Sequence, residues 1–89
     1  MLLAVAGPAA AEADHDRARR AVLAGEVLPL RSILDRASAV YGGEFIEAEL
    51  ETEDGGLMVY EVKMITPAGK VVKLVYDARD GRLLKARER

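Results

Sequence analysis

Cysteine is absent from this chain, and with it go disulfides, thiolate nucleophiles and thiolate metal sites. Histidine occurs once, at His15, so no histidine pair exists to complete a metal cluster and no imidazole stands ready to activate a nucleophile. Ser32 and Ser38 accordingly have no partner base, and no glycine-rich loop follows a strand in the manner that cradles a phosphate. No run of 18 or more apolar residues marks a membrane span in the mature chain. A large excess of charge is missing too: the net charge is -2, which supplies no field for nucleic acid or anionic lipid. These absences exclude the hydrolase, nucleotide-binding and nucleic-acid-binding classes. They leave a non-enzymatic reading with no catalytic residue, no resident metal and no cofactor.

What is present is the composition of an ordinary folded protein, 51% hydrophobic and 31% charged over 89 residues. A chain of this length makes one domain at most and buries only about 60% of its unfolded surface, so its core is small and a large cleft is not expected. The first thirteen residues differ from the rest. Met1 to Ala13 is apolar and alanine-rich, broken at Gly7-Pro8 and ending in small residues at Ala9, Ala10, Ala11 and Ala13. This is the pattern of the end of a secretory signal peptide. No Lys or Arg precedes Arg17, so the basic n-region would lie upstream and the signal is truncated at its N-terminus. Residues 1–13 are read as a signal-peptide remnant and 14–89 as a single domain, periplasmic or secreted.

Two helices are expected next. Asp14-His15-Asp16 offers capping oxygens and negative charge, Arg17 to Ala24 supplies helix formers, and Gly25 stops the segment. In the second, Leu30, Ile33, Leu34, Ala37, Val40 and Tyr41 fall on one stripe, with Pro29 suited to the first turn and Gly42-Gly43 at the end. From Glu44 the period changes from 3.6 to 2. Ile46, Ala48 and Leu50 alternate with Glu47, Glu49 and Glu51; Asp54-Gly55-Gly56 turns the chain; Leu57 to Thr66 places Met58, Tyr60, Val62 and Met64 on one face. Pro67-Ala68-Gly69 makes the next turn, Val71 to Ala78 the third strand with Val72, Leu74 and Tyr76 inward, Asp80-Gly81 a tight turn and Arg82 to Ala86 a short fourth strand. The fold class predicted is α+β: an antiparallel β-meander of three to four strands packed on one long and one short N-terminal helix, a two-layer sandwich.

Several clusters invite a chemical reading. Asp14-His15-Asp16 combines carboxylate and imidazole, but three consecutive residues converge poorly on one ion, and helix capping accounts for them. Glu47, Glu49 and Glu51 share a face at intervals of nearly 7 Å without the spaced ligands and glycine of a calcium loop, which describes a solvated strand face. The basic residues Lys63, Lys70, Lys73, Arg79, Arg82, Lys85, Arg87 and Arg89 oppose this acidic strand in sign, and cross-strand ion pairs explain them. The outer face of the sheet is the better lead. Leu57, Val59, Glu61, Lys63, Ile65, Val71, Lys73 and Val75 mix aliphatic and charged side chains on one surface, suited to a protein partner or to a homodimer through the sheet face or edge.

Taken in order, Tyr60-Glu61-Val62-Lys63, the Pro67-x-Gly69 turn and Asp77-Ala78-x-x-Gly81-x-Leu83-Leu84 resemble the PepSY family of small extracytoplasmic domains, over roughly Leu28 to Lys85. The resemblance implies a helix packed on an antiparallel sheet and a role in restraining peptidases or binding other proteins. Such domains occur in propeptides of thermolysin-like secreted metallopeptidases, in spore-germination membrane proteins and as stand-alone periplasmic proteins, the last being the closest to this chain, which has no attached peptidase domain. The family brings no catalytic residues to transfer. The reading is therefore a non-enzymatic periplasmic or secreted protein-interaction module regulating a partner such as a peptidase or envelope sensor. A small-molecule or metal-binding periplasmic protein, using the acidic strand or the groove between helix and sheet, is the alternative.

Overall fold

Leu30–Tyr41 folds as the long helix because its apolar positions recur at helical spacing. In the computed structural model, which describes residues 16–17 and 19–88, this helix (α2) begins after an extended Pro29 whose carbonyl accepts the Ser32 N–H at 3.0 Å. Proline thus stands at the cap, one place before the turn expected from sequence. Gly42, at φ 63, ends the helix and donates its N–H to the Ser38 carbonyl at 2.9 Å. Ile33 and Ala37 are fully buried, Leu30, Leu34 and Tyr41 partly so, whereas Val40, on the flank of the stripe in the last turn, is 72% exposed.

Residues 16–17 and 19–23 form a shorter helix, α1, stopped at Gly25 with φ 75. The segments read as a signal remnant (1–13) and as a capping Asp14-His15 lie outside the described residues. Ala21 and Val27 join the buried cluster, and Arg17 reaches over the end of the first strand to donate to the Thr52 hydroxyl at 3.0 Å and to the Leu50 carbonyl at 3.4 Å.

The remaining chain is a meander of β1 (Glu44–Thr52), β2 (Met58–Ile65), β3 (Val71–Asp77) and β4 (Leu83–Glu88), antiparallel and in sequence order across the sheet. Among the described residues this gives an α+β arrangement of two helices and one four-stranded sheet. A 3-10 turn, Asp54–Gly56, joins β1 to β2. At the β2–β3 turn the Gly69 N–H donates to the Thr66 carbonyl at 2.8 Å, with Gly69 at φ 84, as the Pro-x-Gly chemistry requires. One face of the sheet carries Tyr60, Val62, Met64, Val72, Leu74 and Tyr76, all buried in one cluster with Ile33 and Ala37 of α2.

Polar contacts tie the helical segments to this core. The Tyr60 hydroxyl donates to the Leu28 carbonyl at 2.7 Å, the Leu28 N–H to the Ala78 carbonyl at 2.7 Å, and Arg36 of α2 to the Gly81 carbonyl at 3.2 Å. Burial pushes the phenol of Tyr60 above its usual pKa, because ionising it would place charge where water is scarce.

The entry to β1 departs from the simple alternation. Register runs from Phe45 opposite Met64 to Glu47 opposite Lys63, so Ile46 is the extra residue of a bulge. Ile46 was expected inward; it is 42% exposed, and Phe45 takes the place opposite Met64 while remaining 48% exposed. The extra residue shifts the alternation by one, which turns Phe45 rather than Ile46 to the side of Met64. Just before the strand, Gly43 runs so close to β2 that a Cβ there would sit 1.8 Å from the Ile65 carbonyl oxygen.

Candidate protein-interaction face

Alternation along four strands builds a second surface opposite the core. β1 contributes Glu47, Glu49 and Glu51, β2 contributes Glu61, Lys63 and Ile65, β3 contributes Val71, Lys73 and Val75, and β4 contributes Lys85 and Arg87. Opposite-charge pairs form where the register allows them: Lys63 Nζ lies 3.5 Å from a Glu47 carboxylate oxygen directly across, and Lys73 Nζ lies 3.5 Å from Glu61 on the diagonal. Both are partly solvated and each contributes only a few tenths to about 1 kcal/mol.

Three direct pairs carry like charge. Glu49 faces Glu61, Lys63 faces Lys73, and Lys73 faces Arg87. The crowding of carboxylates raises the pKa of Glu51, first through a side-chain hydrogen bond with Glu49, which favours a shared proton, and then through the charge of Glu61. Glu47, Glu49, Glu51, Glu61, Lys63 and Lys73 border a shallow depression of about 270 Å³. Among the described residues no three His, Cys, Asp or Glu side chains are grouped to hold a metal ion.

Of the eight residues expected on this surface, six lie on it with solvent contact: Glu61, Lys63, Ile65, Val71, Lys73 and Val75. Val59 requires correction. It points to this side, opposite Glu51 and Asp77, but is completely buried, so it supports the sheet and offers no atom to a partner. Leu57 precedes β2, in the link after the 3-10 turn, and is 37% exposed at the margin of the sheet. Asp77, next to Val59, is buried too; its carboxylate accepts the Arg79 N–H at 2.8 Å and shapes the β3–β4 turn.

Sequence reasoning passed over the two rims of this face. The sequence reading makes Glu47, Glu49 and Glu51 a solvated strand face and assigns Lys85 and Arg87 to cross-strand ion pairs, whereas neither Lys85 nor Arg87 takes part in an ion pair among the described residues. Their signal was present in the alternation, but only the register shows that an acidic rim at β1 and a basic rim at β4 border one continuous surface.

No helix among the described residues is long and apolar enough to cross a membrane. No curated protein and no solved structure matches the chain significantly. A family profile does match: the one described as "Peptidase propeptide and YPEB domain" covers residues 27–87, from just before α2 to near the end of β4. That span takes in α2 and the whole sheet, and the chain belongs to the PepSY family.

Proposed function

We propose that this chain is a non-catalytic interaction module acting in the periplasm or outside the cell, where its outer sheet face binds and regulates a protein partner, a peptidase before an envelope sensor. Membership of a family associated with peptidase propeptides supports the class of partner. The observation that carries the choice of surface is the outer face itself, where the aliphatic side chains of Ile65, Val71 and Val75 alternate with Glu61, Lys63 and Lys73 around partly exposed ion pairs. Such a surface supplies apolar area for affinity and fixed charge for orientation. Location outside the cytoplasm, with residues 1–13 as a signal remnant and 14–89 as one domain, belongs to the same proposal.

The test is binding to a thermolysin-type secreted metallopeptidase stripped of its own propeptide. Lys73→Glu and Val75→Glu should each weaken binding at least about tenfold, equivalent to about 1.4 kcal/mol, while Arg31→Glu on the exposed side of α2 leaves it unchanged. Equal binding by all three variants would show that the partner uses another surface.

A further inference from the structure

We propose that the outer face is complementary to itself and pairs two copies of this chain, sheet against sheet, about a two-fold axis parallel to the strands. The inference rests on the reading of this face as an interaction surface and names a second copy as an occupant. Its basis is the separation of charge across the sheet. Glu49 and Glu51 at the β1 rim, and Lys85 and Arg87 at the β4 rim, take part in none of the ion pairs among the described residues. Within one copy the two rims are three strand spacings apart, about 14 Å, too far for these side chains to meet.

A two-fold axis parallel to the strands exchanges left and right. It brings the β1 rim of each copy over the β4 rim of the other, so that Glu49 faces Lys85 and Glu47 faces Arg87, each twice by symmetry, with Glu51 adding negative charge at the end of the same rim. Stacked sheets lie about 10 Å apart, a gap that Glu and Lys or Arg side chains span together. The register places Glu49 level with Lys85 and Glu47 level with Arg87 across the sheet, and the spacing of alternate residues is about 7 Å on both strands, so these two rows match. A two-fold axis across the strands would instead stack β1 on β1 and β4 on β4, acid on acid and base on base. Charge therefore selects one of the two face-to-face arrangements. Near the axis lie Val75 and the internally paired Glu61 and Lys73, which present no unmatched charge.

Pairing through the edges is less favoured. Arg17 already occupies a main-chain carbonyl at β1 and the hydroxyl of Thr52, and the charged residues Lys85, Arg87 and Glu88 on β4 are of the kind that discourages strand addition. The four strands, about seven residues long, offer a footprint of about 450 Å² per copy, roughly half that of a standard interface. The dimer is thus a weak one, formed at high concentration and low ionic strength and dissolved at about 0.5 M salt.

Sedimentation equilibrium of the whole chain, from about 10 µM to about 1 mM, tests this with two charge-swapped variants. Glu49→Lys with Glu51→Lys makes both rims basic; Lys85→Glu with Arg87→Glu makes both acidic. Each alone should be monomeric where the wild type dimerises, with circular dichroism confirming that both fold. Their equimolar mixture should restore a dimer, now containing one of each, because every rim again meets its opposite. A wild type that remains monomeric throughout, or a mixture that remains monomeric while the wild type dimerises, overturns the proposal. If the wild type is monomeric yet the acidic-to-basic variant loses peptidase binding, the self-pairing is wrong and the face still belongs to a peptidase; if binding is also untouched, both readings fall.

Discussion

Val59 has no solvent contact although it belongs to the outward-pointing set of β2. It shows how a sheet face carries two kinds of residue, those that present chemistry and those that hold the presenting residues in place. Val59→Ala should lower stability by about 2 kcal/mol, measured by urea unfolding, because it leaves a void where no water enters. A loss below about 0.5 kcal/mol would mean that the site collapses freely. Glu51 sits at the other extreme. Its raised pKa means that the folded chain holds the proton more tightly than the unfolded one, so the associated stability is full below about pH 4.5 and is lost as pH rises through the folded pKa. Glu51→Gln should therefore raise the melting temperature slightly at pH 7, and the difference from wild type should vanish below about pH 4. A variant that is less stable at pH 7 would contradict the like-charge crowding of Glu49, Glu51 and Glu61.

At the scale of elements, the passage from α2 into β1 is the tightest point of the chain. Gly43 combines a φ of 73 with a backbone approach that admits no Cβ, and Gly43→Ala should cost at least about 2 kcal/mol in equilibrium unfolding. Near-wild-type stability would show that β1 can shift away from β2. This same junction marks the limit of what the sequence revealed. The helical spacing of Leu30, Ile33, Leu34 and Ala37, and the period-two runs of β2 and β3, were legible because one face of each is committed to the core. The bulge at Ile46 was not, since an extra residue in one strand shows only in its pairing with a strand distant in the chain, here β2. Nor does alternation distinguish Val59 from Val75: both point to the same side, and only the packing around them decides that one is buried and the other partly open.

For the whole molecule, a net charge of -2 conceals an uneven distribution. The sheet runs from an acidic rim at β1, through the paired charges of β2 and β3, to a basic rim at β4. The central claim is that this outer face is the surface on which the protein works, and the most direct measurement is amide chemical-shift mapping of labelled protein during titration with a thermolysin-type metallopeptidase free of its propeptide. The account predicts shifts or broadening concentrated at Glu61, Lys63, Ile65, Val71, Lys73 and Val75, with Arg31 and Asp35 on the exposed side of α2 undisturbed. Perturbations confined to α2, with the outer sheet face unchanged at saturation, would contradict it.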